Sequence, residues 1–481
     1  MSVVDRIGNL FKGADELNLT EGGIGKPLFY LSLPIVVTNM LQVAYNLADT
    51  FWLGQYSTEA LAAISFAFPM VFLLISLGMG LTVAGSVTVA QAIGADDERE
   101  AQYAASQTVT LSLIAALVLG AVGYFVVTPL LGIFGASPDV LPRAAAYMKV
   151  ISLGLVFMFG FFVFISLMRG YGDTVTPMLV MFGSVAINVA LDPFLIFGWW
   201  IFPELGVRGA AFATVFARSL ALVVGLWVMF SGRRGVQINL ADMAPDLEYA
   251  RKLLRIGVPA SIEGTGRALS VNLLLIVVGG FPTTVVAAFG IGIRVFSVIF
   301  MPAIAVARGV ETMTGQNIGA GKPDRAAAAA RFAAIVMFGV LSLLGVVAWV
   351  AGEAIVGAFT TDPEVVAVGA EFLRYVAPTF GMLGIMRSYN GSFRGAGKTM
   401  TAAVIAISTL GVVRLPLAAL LSSTSLASNG IWLAFTISNV FGAVLAWAWY
   451  RRGTWRDADV TRGPGPGGDE DVGPDAAVSD D

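Results

Sequence analysis

Four side chains sit in stretches otherwise too oily to hold them. Asp49 stands in Tyr45-Asn46-Leu47-Ala48-Asp49-Thr50, and Asp192 in Asn188-Val189-Ala190-Leu191-Asp192-Pro193. Asn188 and Asp192 are four apart, so on a helix they share one face. Pro193 lacks an N–H and frees a backbone carbonyl beside them. Thr214, further along, offers a hydroxyl. Two carboxylates, an amide and a hydroxyl suit a small hard cation. The same two acids can instead share one proton. The chemistry these residues permit is therefore binding and release of a proton or a sodium ion, with no cofactor. Asp49, Asn188, Asp192 and Thr214 act as metal ligands only in the sodium version. The plainer alternative is that both acids lie at outer helix ends and are simply wet, since each falls two-thirds or more along its apolar run.

The chain has no His and no Cys. That removes the commonest general base, the commonest metal ligand and every thiolate site. No nucleophile–base pair or metal-ligand set remains, so an enzyme is not expected. Two further features lie in apolar runs. Glu263 and Arg267 are four apart and form either a neutralising structural pair or a substrate contact. Pro34 and Pro259 interrupt their runs, and a kink at Pro34 is a candidate hinge coupled to Asp49.

The elements that must position these residues follow from composition. Of 481 residues, 57% are hydrophobic and 13% charged, and mean hydropathy is +0.80. A soluble domain carries about 25% charge, so lipid is the expected solvent, and no nucleic-acid partner is expected. Apolar runs fall near 28–53, 60–88, 104–132, 144–168, 177–201, 208–230, 253–280, 284–312, 328–350, 365–390, 400–421 and 429–450. All twelve read as helices, because isolated strands cannot satisfy their backbone in lipid. The first run starts late and is long enough to span, so no cleaved secretory signal is expected.

Adding 225 to a residue number in the first half lands repeatedly on a like residue. Pro34 maps to Pro259, Gln91-Ala-Ile-Gly94-Ala95 to Gln316-Asn-Ile-Gly319-Ala320, and Arg169-Gly170-Tyr-Gly172 to Arg394-Gly395-Ala-Gly397. The expected fold is all-α integral membrane, with two six-helix lobes related by a parallel pseudo-twofold repeat. The divisions are an N-terminal segment 1–27, an N-lobe 28–230, an inter-lobe loop 231–252, a C-lobe 253–450 and an acidic tail 451–481. Residues 457–481 hold eight acids against Arg462, are rich in Gly and Pro, and read as disordered. Arg99, Arg169, Arg233, Arg234, Lys322, Arg325, Arg394, Lys398, Arg451 and Arg452 crowd one set of loops, which places both termini in the cytoplasm of a cell (plasma) membrane protein. The repeat also locates the site. The equivalents of Asp49 and Asp192 are Leu274 and Leu417, so the scaffold itself needs no acid there.

Taken together, these motifs resemble the multidrug and toxic compound extrusion (MATE) family, most of all its DinF-type prokaryotic branch. The resemblance covers roughly residues 25–450 and also rests on Gly206-Val-Arg-Gly209-Ala210-Ala211-Phe-Ala-Thr214. It implies a V-shaped cleft between the lobes and export of small, lipophilic organic cations against protons or sodium. It further implies Gln42, Tyr45, Asp49, Asn188, Asp192 and Thr214 as the first-lobe site, and a monomer in the bilayer. In family members of the NorM type a helix 7 acid also matters, although Glu263 sits nearer its proline than that acid does. The alternative is a lipid-linked oligosaccharide or lipid flippase of the same superfamily. Its cavity should be strongly cationic, whereas the first lobe presents acids.

Overall fold

The computed structural model describes residues 17–135, 137–458 and 460. Residues 1–16, 136, 459 and 461–481 lie outside the described residues, while Trp455, near the start of the tail expected to be disordered, is 1% exposed and donates to the Tyr450 carbonyl. The described chain forms twelve helical spans. The N-lobe holds α1 (Gly25–Tyr56), α2 (Thr58–Gly94), α3 (Glu98–Ile133), α4 (Leu141–Leu153, then Leu155–Tyr171), α5 (Val175–Phe197) and α6 (Val207–Ser231). The C-lobe holds α7 (Leu247–Gly279), α8 (Thr283–Gly319), α9 (Pro323–Val350), α10 (Pro363–Val376, then Phe380–Gly395), α11 (Thr399–Ser422) and α12 (Ser428–Arg451). Ten of these are long and apolar enough to cross a membrane, and bent α4 makes an eleventh. The twelfth, α10, is broken by the 3-10 turn Ala377–Thr379 and carries Arg374, Arg387 and Arg394, so it lacks the unbroken apolar length of the others.

The helices obey lipid in their interiors and water at their ends. Within, the backbone closes its own hydrogen bonds. At the ends polar caps take over: Ser57, Asp97, Asp246 and Asp362 each accept from amides of the following first turn. Lobe symmetry extends to the irregularities. The 55° bend of α4 at Gly154 corresponds to the break in α10 at Ala377–Thr379. Ser57 and Pro282, 225 apart, precede α2 and α8.

The two repeated motifs now have a physical reason. In Arg-Gly-x-Gly the first glycine permits close packing. A Cβ on Gly170 would stand 2.5 Å from the Ser86 carbonyl oxygen, and one on Gly395 2.1 Å from that of Glu311, the residue equivalent to Ser86. The second glycine turns the chain, since Gly172 and Gly397 have φ of +110° and +76°. In Gln-x-Ile-Gly-Ala the glycine lets α2 cross α8. A Cβ on Gly94 would stand 1.9 Å from the Gln316 carbonyl oxygen, and one on Gly319 1.9 Å from that of Gln91.

Each lobe has its own apolar core, but Leu28 of early α1 packs into the C-lobe core, and Tyr249, Leu253 and Ile256 of early α7 pack into the N-lobe core. The link between lobes, from Gly232 to Asp246, is fastened to α3. Arg99 grips the Asp242 carboxylate through both terminal nitrogens. Gln107 donates to the carbonyls of Asp242 and Ala244, both at 2.7 Å, and Tyr103 donates to Asp246 at 2.6 Å.

The lobes touch only toward the linker end of the bundle. Gln91 Nε2 of α2 donates to the Gly395 carbonyl at 3.0 Å, and its equivalent Gln316 donates to those of Gly170 and Tyr171 at 3.1 and 2.9 Å. These bonds form a reciprocal latch across the pseudo-twofold axis. Further along, Ser261 donates to the Leu77 carbonyl, and the hydroxyls of Ser76 and Thr265 meet at 3.3 Å. Among the described residues no hydrogen bond, ion pair or ring contact joins the lobes beyond Ser76 and Thr265. The lobes therefore splay toward the opposite end, with a cleft between them.

Candidate functional site

The N-lobe brings most of the sequence-derived set together. α1 packs along α5, and α5 along α6, which points their polar positions at one another. Asp49 of α1 is 1% exposed, Asp192 and Asn188 of α5 are 0% exposed, and Thr214 of α6 is 3% exposed. The acids are thus sealed inside the lobe rather than wet at helix ends, which removes the plainer alternative. Asn188 Nδ2 donates to Asp192 Oδ1 at 3.3 Å, and the Thr214 hydroxyl donates to Asp49 Oδ2 at 3.5 Å. The two carboxyl groups face each other, with Asn188 between their helices.

Several oxygens of this nest find no donor in the protein: Asp49 Oδ1, Asp192 Oδ2, Asn188 Oδ1 and the Tyr45 hydroxyl. A buried carboxylate oxygen without a donor costs of order 1–3 kcal/mol. The donor set therefore fits a sodium ion or a proton, because either satisfies oxygens that the protein leaves open.

Sequence reasoning missed one member. Arg218 of α6 is 1% exposed, one helical turn beyond Thr214, and it faces Asp49. Its Nη2 donates to Gln42 Oε1 at 2.8 Å, and its guanidinium lies 4.6 Å from the Tyr45 ring centre and 5.2 Å from that of Phe161. Gln42 Oε1 and the face of the Tyr45 ring thereby hold the arginine, while the Tyr45 hydroxyl stays open. Its four-residue spacing from Thr214 was the available signal. Pro34 is buried in α1, and its carbonyl accepts from the Thr38 hydroxyl at 2.8 Å.

The C-lobe residues Glu263 and Arg267 do pair, at 3.0 Å, but not in isolation. Glu263 also accepts from Arg394 at 3.0 Å. Arg169 and Arg394, counted above among loop charges, are drawn into this cluster instead, at 12% and 8% side-chain exposure. Helix packing at the linker end buries them.

A doubled six-helix bundle with an ionisable nest sealed in one half is the build of a membrane transporter. The MatE family profile matches residues 34–194 and again 259–420. One stretch falls in each lobe and runs from its first helix into its fifth. The chain belongs to the MatE family, the multidrug and toxic compound extrusion transporters. It is 29% identical to the probable multidrug resistance protein YpnP of Bacillus subtilis over 440 residues, covering 91% of this chain and 97% of that one. It is 30% identical over 426 residues to a FAD transporter of Shewanella oneidensis, covering 89% and 94%. Among solved structures it matches the outward-facing conformation of a multidrug resistance MATE family transporter, with TM-score 0.81, 25% identity and coverage of 94% and 99%.

Proposed function

We propose that this chain exports small organic molecules across the cell membrane by alternating access, driven by a proton or a sodium ion moving inward through the Asp49 nest. The observation that carries the proposal is the nest itself. Two acids are buried in the N-lobe where the C-lobe twin carries Leu274 and Leu417. A charge kept at such cost inside a membrane is there to be used. Asp49, Asp192 and Arg218 together carry one net negative charge, so a single monovalent cation neutralises the nest.

Asp49, Asp192, Asn188 and Thr214 are the groups assigned to the ion, with Gln42 and Tyr45 holding Arg218. Neutralising Asp49 lets α1 relax about Pro34, where one backbone hydrogen bond is already missing, and so changes the N-lobe wall of the cleft. The Gln91 and Gln316 latch closes the linker end in the present state. Arginines and lysines in the linker-end loops, with Arg169 and Arg394 set aside, support a cytoplasmic side for that end. The cleft then opens outward. The expectation of lipophilic cations rests on the family resemblance; the N-lobe acids themselves we assign to the coupling ion.

The test uses the purified chain in liposomes under separately imposed proton and sodium gradients, with fluorescent cationic, zwitterionic and anionic probes (ethidium, norfloxacin and carboxyfluorescein). At least one probe should move with one gradient, and Asp49→Asn should abolish that movement while leaving expression intact. Movement in Asp49→Asn equal to the parent refutes the nest, and no gradient-dependent movement of any probe refutes export. The lipid-flippase alternative gains one observation, the arginines of the C-lobe, and a lipid-translocation assay on the same liposomes separates it.

A further inference from the structure

The C-lobe carries charges that its twin does not. Glu263 and Arg267 come from α7, Arg308 and Glu311 from α8, Arg387 from α10. Their N-lobe equivalents are Thr38, Gln42, Val83, Ser86 and Phe162, none of them ionisable. The fold can therefore be built without these five charges, and each costs several kcal/mol to hold at membrane depth.

The charges do not balance. Arg394 spans the two acids, with Nη1 3.0 Å from Glu263 and Nε 3.0 Å from Glu311. Arg267 donates to Glu263 at 3.0 Å, Arg308 to Glu311 at 2.9 Å, and Arg169 reaches Glu311 only at 4.0 Å. Arg387 lies within electrostatic reach of Glu263 as well as of Arg267, Arg308 and Arg394, yet among the described residues it has no ion pair or hydrogen bond. Five guanidinium groups thus meet two carboxylates, which leaves three positive charges uncompensated.

Exposure decides which sign the cleft presents. The acids are shut in, Glu263 at 4% and Glu311 at 1% exposed. The side chains of Arg267 and Arg308 are partly exposed, at 30% and 19%. Arg267 also lies two residues beyond Thr265, where the hydrogen bonds between the lobes end among the described residues. It stands at the level of the floor of the cleft, on the face of α7 that carries Glu263.

We propose that this floor binds the oxyanion of the transported molecule, a carboxylate or a phosphate, through Arg267, Arg308 and Arg387. The proposal rests on the reading that the cleft is the substrate path. Glu263 and Glu311 hold Arg394 as a strut and fix the neighbouring forks, whose planar donors match an oxyanion in bidentate fashion. With the N-lobe acids sealed, the charge the cleft offers a substrate is positive, which selects anionic or zwitterionic molecules over plain cations.

The test is equilibrium binding to the full chain in nanodiscs of phosphatidylcholine, without any gradient. Two matched fluorescent pairs serve as probes: riboflavin 5′-phosphate against riboflavin, and dansylglycine against dansylglycinamide. At least one charged member should bind about tenfold or more tighter than its neutral twin, as expected for charge-assisted hydrogen bonds. Inorganic phosphate should displace that charged member and spare its twin. Arg387→Gln and Arg267→Gln should each weaken the charged member about tenfold and leave the neutral one unchanged, with Arg387→Lys keeping part of the affinity. If a variant does not fold, the phosphate competition on the parent chain still decides. Equal binding of both members in both pairs overturns the proposal. Replacing part of the lipid with phosphatidylglycerol separates the sources of the anion. Loss of probe binding assigns the site to a lipid headgroup and retention assigns it to a soluble anion, and either outcome upholds an oxyanion site. Anion preference without gradient-driven export would sink the transport reading alone, while export without anion preference sinks this inference alone.

Discussion

The crossing of α2 and α8 makes a quantitative prediction. Alanine at Gly94 or Gly319 puts a Cβ 1.9 Å from a backbone carbonyl oxygen of the opposite lobe. Ordinary contact begins at 3.4 Å, so the helices must part by about 1.5 Å in an interface packed like a crystal. The obstructing atom is backbone and cannot rotate away, which puts the cost toward the upper part of the usual 1–3 kcal/mol for overpacking. Against this, alanine improves helix propensity by about 0.8–1.0 kcal/mol. The clash wins by about 1–2 kcal/mol, a shift of roughly 5- to 30-fold away from the state closed at the linker end. The chain has no cysteine, so Ser137→Cys and Thr361→Cys, in exposed loops at the splayed end, give a spin-label pair without background. Pulsed dipolar spectroscopy in nanodiscs should show a new population at shorter distance in Gly94→Ala and Gly319→Ala. Gly183→Ala and Gly339→Ala meet open space and should leave the distribution alone. An unchanged distribution in folded Gly94→Ala and Gly319→Ala, or the same shift in the controls, refutes the reasoning.

Gln316→Leu removes two hydrogen bonds across the lobes, each worth about 1 kcal/mol. The same spin-label pair should again show the shorter population, and so should Gln91→Leu, which loses the bonds to Gly395, Ala458 and Val460. Arg218→Met leaves two facing acids without their cation, and loss of one partner of a buried charge set costs about 3–5 kcal/mol. Thermal unfolding should fall sharply, and adding Asp49→Asn should restore much of it by returning the nest to one net negative charge; no restoration would separate Arg218 from the acids. In the inter-lobe link, the Arg99 hydrogen bond holds the Asp242 carboxyl below the usual carboxylate range. Its folded-state value lies below the unfolded one, so its contribution is complete above the unfolded value near 3.9 and drains as pH falls through the folded value. Limited proteolysis of the link should be flat from about pH 8 to pH 5 and rise below about pH 4. Asp242→Asn should show the fast rate at every pH.

What the sequence made legible was local or periodic, and what it hid was assembled across the chain. The twelve spans could be read because apolar length is a property of contiguous residues. The lobes could be read because one offset aligns them. Asp49, Asn188, Asp192 and Thr214 stood out because an acid or amide in an oily run needs a reason wherever its helix points. Arg218 had the same claim and a visible spacing from Thr214, but a cation beside two acids is recognisable only once α1 and α6 are known to meet. The C-lobe cluster was further out of reach, since Arg169 lies 225 residues from Arg394 and both sit beside glycines that resemble loop residues. Their repeat was plain, but its cause was not. Gly170 and Gly395 are small because carbonyls of α2 and α8 press on them, and that same close approach pulls the flanking arginines inward. Positive charges that the sequence assigned to membrane topology therefore belong, at these two positions, to the interface between the lobes. The sign proposed for the cleft rests on their neighbours Arg267, Arg308 and Arg387. Acids visible in the sequence are buried beneath its walls, and arginines that looked peripheral or paired stand at its floor.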